Sequence, residues 1–416
     1  MTELTGTAAG PGGTYRAILG ILLLVAAAIV AAELVRHKKR LPSLLRVLIY
    51  TYSEFVLLGL AIGPRGLQLI GTDLLDQLDP FLHLSLGGVG LIFGLQFNAT
   101  QLKRFPLAMF GLAFFQAAFT FLLCGLAFFW VAIALGFSMG GAVFLAAVLA
   151  TIASVSAPQI IAHLIHEQQA RGKNAHLLQF ITSVDGAFGV LVLALLLGAH
   201  SEYWLTPWRG LNALLWLVFS AAIGVACGLV FHWLIQVRTS TQEMVLYLLG
   251  LVTLSSGVAA TLHLSPLFVN VVFGLTVANL SLRVEEIFRQ MGRLEHPLFI
   301  VLLILAGARW QLSGGWVVPL VLAYLGFRFL GKWLGCLVGR EYFRLYFKPV
   351  DRLGMALLSQ GGLALALLIT LTLAESGRLV ALIETAVIVS IIASELLAPP
   401  LVRHVLARGR EWRPAP

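Results

Sequence analysis

Uncharged stretches long enough to cross a bilayer recur from one end of this chain to the other. A hydrocarbon layer about 30 Å thick needs ~20 apolar residues per helix. Of the 416 residues 59% are hydrophobic and 11% charged, and the mean hydropathy is +0.93. That balance excludes a soluble domain and points to an all-α polytopic membrane protein.

About thirteen spans satisfy the length criterion, at roughly 16–35, 47–63, 81–97, 107–136, 140–165, 177–199, 211–234, 243–263, 266–281, 296–310, 315–338, 352–374 and 379–402. The loops test the count. Basic residues after each odd-numbered span run from Arg36, Lys38, Lys39, Arg40 and Arg46 to Arg403, Arg408, Arg410 and Arg413, 21 in all. The other side has 5: Arg16, Arg65, Arg209, Arg309 and Arg378. The richer side is expected in the cytoplasm, of a bacterial inner membrane, with the N-terminus outside. Trp204, Trp208, Trp310 and Trp316 then fall where an outer aromatic belt is expected. The block "RHKKR" follows the first span, which argues for a retained helix over a cleaved leader. Tails are expected at 1–15 outside and 403–416 inside, flanking a transporter domain over 16–402. The dispersed basic residues fit membrane orientation rather than nucleic acid, and Cys124, Cys227 and Cys336 have no metal-like spacing.

Two spans carry their own interruptions. The fifth reads "ATIASVSAPQIIAHLI", with Thr151, Ser154 and Ser156 ahead of Pro158. The twelfth reads "GMALLSQGGLALALLI", with Ser359 and Gln360 ahead of Gly361 and Gly362. Freed backbone groups cannot face lipid, so such segments line a cavity or pack in protein. Taking 16–199 and 243–402 as two six-helix halves joined by 211–234 puts both breaks in the fifth helix of a half. The single joining helix inverts the second half, as in an inverted-repeat transporter with its site between matched broken helices.

Asp185 lies in the sixth span, the only formal charge between Lys173 and Glu202. An aspartate at mid-helix costs roughly 2.5–3.5 kcal/mol to insert and marks a functional site by default. Desolvation disfavours the bare carboxylate, which a monovalent cation or a proton neutralises in mutually exclusive fashion. Thr182 and Ser183 are candidates to add neutral oxygens. Arg328 and Lys332 in the eleventh span are expected to snorkel inward or to balance a carboxylate, with Glu395 a candidate partner. Glu54 is expected to reach the basic cluster at Arg36–Arg46, Glu384 to be solvated, and Gly87, Gly88, Gly90 and Gly94 to form a close-packing face.

The chain resembles the monovalent cation:proton antiporters, in particular the cation:proton antiporter-2 branch with Na⁺/H⁺ and K⁺/H⁺ exchangers. "GLAIGPRGLQLI", "GVGLIFGLQFNATQLKRF", "SVSAP", "SVDG", "HLSPLFVNVVFGLTVANLS" and "LSQGGLALAL" carry the resemblance in order, from about 47 to 402. It implies a dimerisation domain, a moving core containing crossed helices and Asp185, elevator-type alternating access and a homodimer. It also implies Asp185 as the site shared by Na⁺ or K⁺ and H⁺. Three departures stand out. Gln96 replaces a usual glutamate, Val184 precedes Asp185 where the family has Asn, Gln or Asp, and Ala157 replaces an acid before the proline. The Asp-Gly pair aligns Asp185 with the family's second, ion-binding acid. Gly189 favours the alternative alignment on the first acid, which puts Gly186 at the ion-binding position and argues against exchange. The base that electrogenic members carry in the tenth span is missing too, so an electroneutral cycle is expected. No cofactor, nucleotide-binding domain or enzymatic constellation is expected. A Na⁺-coupled organic-anion transporter of the same architecture, or a non-transporting membrane subunit, remain as alternative readings.

Overall fold

The computed structural model describes residues 53–167, 172–200, 208–236, 240–281, 283–311, 317–343, 352–375 and 377–409, with Gln169 and Ala170. The first predicted span, the tail at 1–15, residues 410–416, Trp204, Trp316 and the Arg36–Arg46 cluster lie outside them, so the expected contact of Glu54 does too; residues 403–408 of the expected inner tail continue the last helix.

Every regular element among the described residues is helical. In chain order they are α1 (Ser53–Ile62), α2 (Thr72–Gln77), α3 (Asp79–Leu95), α4 (Ala99–Leu102), α5 (Leu107–Ala134), α6 (Met139–Ser154), α7 (Pro158–Glu167) and α8 (Lys173–His200). Then follow α9 (Arg209–Gln236), α10 (Thr241–Thr261), α11 (Pro266–Leu280), α12 (Val284–Arg309), α13 (Val317–Tyr342), α14 (Leu353–Ala356), α15 (Gly361–Ala374) and α16 (Arg378–Arg408). Seven of these are long and apolar enough to cross a membrane, and four shorter ones (α3, α6, α11, α15) are apolar.

Local signals explain most boundaries. Ser240 and Glu243 form a reciprocal capping box at the start of α10. Ser265 caps α11, whose first residue is Pro266, a residue that needs no donor there. Two helices run through prolines. α12 starts at Val284, twelve residues before the predicted span, and continues past Pro297; α16 contains Pro399 and Pro400. The charged first turns of α12 masked a helix that extends beyond its apolar stretch.

The helices pack as two groups. One, the scaffold, contains α1, α3, α10, α11 and α12, with α9 laid against α11. At its centre α3 meets α11 backbone to backbone. A Cβ on Gly90 would sit 2.4 Å from the Leu267 carbonyl oxygen, and one on Gly94 2.1 Å from that of Val271. The expected close-packing face is therefore real, and small residues there let the backbones approach. The other group, the core, contains α5, α6, α7, α8, α13, α14, α15 and α16. The groups meet where α8 packs on α9 and touches α11, and where α15 touches α3, α11 and α12. Phe93 of α3 occupies the space a Cβ on Gly186 would need, 2.6 Å away, and Phe299 of α12 does the same at Gly362, 2.3 Å away.

Two expectations fail. Trp310 is buried rather than in a lipid-facing belt, and its indole N–H donates to Thr385 Oγ1 at 3.2 Å. Glu384 is buried rather than solvated and accepts the Gln311 backbone N–H at 3.1 Å. Both side chains tie the segment leaving α12 to α16, a tertiary demand that span-end position alone does not reveal.

Candidate functional site

Both interruptions are breaks, and they cross. α6 ends at Ser154, Val155 is extended (φ −83°, ψ 138°), and α7 begins at Pro158. Pro158 thus starts a helix rather than bending one. The second break runs from Leu357 to Gln360, and Gly361 opens α15 with φ +61°, a conformation that favours glycine. The two breaks touch directly, the Ala157 N–H donating to the Ser359 carbonyl at 3.0 Å.

Crossing two broken helices leaves carbonyls at the ends of α6 and α14 without helical partners. Arg328 on α13 takes them. Its guanidinium donates to the carbonyls of Leu357, Leu358 and Ser359, each at 3.1 Å, and to that of Ala153. Lys332, one turn further along α13, donates to the Ser154 carbonyl. Cations at helix C-termini are favoured by the backbone dipoles as well as by the hydrogen bonds. Neither base snorkels: both are wholly buried.

Asp185 sits against this crossing and is also wholly buried. Lys332 Nζ donates to its Oδ2 at 2.5 Å, a buried ion pair between α13 and α8. Ser156 Oγ lies 2.9 Å from the same oxygen and 3.1 Å from the Leu357 carbonyl. The Gln116 side-chain amide on α5 donates to Oδ1. The carboxylate is therefore held by the first break, through Ser156, and by two other helices, α5 and α13. One counter-charge and two neutral donors compensate its desolvation, without which a buried charge is prohibitive.

The remaining predicted residues are placed less centrally. Thr182 and Ser183 turn back along α8, donating to the Gln179 carbonyl at 2.9 and 3.1 Å. Neither donates to Asp185, because helical hydroxyls find the carbonyl one turn back first. Thr151 and Ser154 likewise bond backbone carbonyls of their own helix, those of Ala147 and Thr151. Gln360 donates to the Ile152 carbonyl at 3.1 Å and to Tyr324 Oη at 2.7 Å, linking the second break to α6 and to α13. Glu395 is buried on α16, which packs beside α13, but Lys332 is directed to Asp185 and Arg328 to carbonyls.

Gln116 and Tyr324 escaped the sequence reading. The signal for Gln116 was present: it is the one amide in the fourth span. Lys332 is legible in the sequence as a base within a span, but its partner is Asp185, 147 residues away, rather than Glu395.

Two cavities open between core and scaffold at the end where α8 and α15 finish. One, about 370 Å³, is lined by His83, His200, His263 and Glu375; the other, about 270 Å³, by Arg65, Arg309, Asp76 and Glu384.

The sequence matches the transmembrane sodium/hydrogen exchanger family over residues 23–404. The chain belongs to that family. It is a multi-pass membrane protein of the sodium/hydrogen exchanger class, a secondary transporter rather than an enzyme. The fold agrees: the sodium proton antiporter MjNhaP1 from Methanocaldococcus jannaschii, in its structure at pH 8, superposes with a TM-score of 0.71 at 17% identity. The match covers 94% of this exchanger and 99% of that chain. An electron-microscopy structure of the same antiporter gives 0.68 at 17% identity, over 96% and 99%. No curated protein sequence matches the chain.

Proposed function

We propose that this exchanger carries a monovalent cation, Na⁺ or K⁺, in one direction and a proton in the other, with Asp185 as the shared site. One observation carries the reading: a wholly buried carboxylate at the crossing of two broken helices, neutralised by Lys332. Buried acids at such breaks are the usual binding sites of transporters with this architecture. Acceptors for a dehydrated cation are at hand. Ser359 Oγ, Gln116 Oε1 and Gln360 Oε1 are buried without hydrogen-bond partners in the structure.

The charge count favours an electroneutral cycle. In the state described here Asp185 and Lys332 neutralise one another. A cation that takes Asp185 displaces the ammonium, whose proton leaves to one face of the membrane; reprotonation at the other face expels the cation. A proton carried on Asp185 itself gives the same tally. One cation moves per proton, and the core keeps the same net charge in both loaded forms.

Movement of the core against the scaffold, in the manner of an elevator, exposes the site to each face in turn. The two helix groups, the cavities at one end of their seam and the glycine-to-ring contacts across it suit such sliding. Two inverted six-helix halves, a homodimer and a cytoplasmic C-terminus complete the reading. The organic-anion alternative loses support, because Arg328 and Lys332 are already taken by carbonyl and carboxylate oxygens.

The test is proton flux in proteoliposomes on addition of Na⁺, K⁺ or Li⁺, with Asp185→Asn as control. Cation-dependent flux lost in the variant supports the proposal. Flux that survives the substitution, or none from the wild-type protein with any of the three ions, refutes it.

A further inference from the structure

Across the seam between core and scaffold, Gln159 Nε2 donates to Glu295 Oε1 at 2.6 Å. Gln159 is the second residue of α7, three positions past Ser156, which holds Asp185. Glu295 lies one helical turn before Phe299 on α12, so both project from the same face. Phe299 fills the space beside Gly362 at the start of α15. One face of α12 thus receives the first turns of both helices that restart after the breaks. Glu295 is only half-buried, about 21 Å along α12 from Arg309 and the cavity that Arg309 lines.

We infer that Glu295 is an accessory cation-binding group on the scaffold, coupling cation binding to the place of the core. Gln159 holds its carboxylate in the state described here, and a monovalent cation takes that carboxylate once the core has moved. The inference rests on the transport reading above. Displacement of α7 by one helical turn, about 5.4 Å, breaks a 2.6 Å bond outright. The released oxygen sits at a half-buried seam and needs a new partner. A cation approaching the core from this side is attracted by the freed charge. A ligand that binds only the shifted state favours that state. Glu295 therefore lowers the cation concentration needed to drive the core without touching the cation at Asp185.

The contact makes two opposed predictions for the full-length protein in proteoliposomes, read as apparent KM for Na⁺ or K⁺ and maximal rate. Glu295→Gln keeps an acceptor for Gln159 but loses the charge; its KM should rise about fivefold with the maximal rate within about twofold, the effect of one partly screened charge. Gln159→Leu frees the carboxylate permanently and should leave KM at or below the wild-type value. Glu295→Asp, which keeps the charge, should restore most of the affinity. An unchanged KM in Glu295→Gln overturns the inference. So does a KM in Gln159→Leu that rises as far as in Glu295→Gln, since that marks a bond that merely holds the structure together. Asp185→Asn separates the two readings: if it still transports, the exchange mechanism itself fails. If it is inactive while Glu295→Gln behaves as wild type, only the role of Glu295 falls.

Discussion

Lys332 and Asp185, 147 positions apart in the chain, form an ion pair from which solvent is wholly excluded. Each is the other's principal compensation, so removing one strands the other. Replacing Asp185 by Asn should lower stability by roughly 3–5 kcal/mol, the usual cost of breaking a buried pair. Thermal unfolding in detergent reads this. The double variant Asp185→Asn/Lys332→Met should recover much of the loss while remaining inactive. A double variant no more stable than the single one would mean that Lys332 is not stranded.

Competition for one site fixes the pH behaviour. Where the site is mostly protonated, each unit fall in pH multiplies the proton concentration tenfold. The apparent KM for the cation should then rise by up to about tenfold per unit, with the maximal rate at saturating cation unchanged. Initial rates across a pH series, with cation titrated at each pH, check it. A KM independent of pH over the whole active range contradicts a shared site.

Electroneutrality has its own measurement. Clamping the membrane potential of proteoliposomes at zero or at about 100 mV should leave the exchange rate within experimental scatter. Moving one net charge through that potential is worth about 2.3 kcal/mol, which no electrogenic cycle could hide. A rate that follows the potential would require a second exchangeable charge in the core.

Gly362 tests the fit between core and scaffold. A methyl there would approach the Phe299 ring to 2.3 Å, so Gly362→Ala should slow exchange severely, or cost roughly 1–3 kcal/mol if the ring is forced aside. Phe299→Ala should relieve it. The double-mutant cycle in transport rate, with thermal unfolding alongside, is expected to be strongly non-additive. Additive effects would show that the two residues do not meet in the working protein.

Much of this was legible in the sequence for physical reasons. A lone carboxylate in an apolar helix and two clusters of polar residues beside Pro158 or Gly361 are anomalies that a bilayer does not tolerate idly. Their positions mark the breaks and the acid directly. What pairs with what is not written locally. Lys332 and Arg328 read as snorkelling residues or as the balance of a carboxylate because spacing shows which helix carries a base but not where α13 faces. Thr182 and Ser183 lie next to Asp185 in sequence, yet the helix turns their hydroxyls onto its own carbonyls; Ser156 and Gln116, distant in sequence, reach the acid instead. Trp310 and Glu384 misled for a similar reason, since proximity to a span end does not distinguish a solvated rim from a buried joint.

Arg328 holds the crossing through backbone oxygens alone. A carbonyl is supplied by whichever amino acid stands at its position, so no side-chain replacement at Ala153, Leu357 or Leu358 deletes an acceptor. The accepting half of these contacts thereby depends on no particular side chain, and their donating half rests on one guanidinium. Chains that have drifted far apart in composition can keep this junction intact by retaining a single arginine.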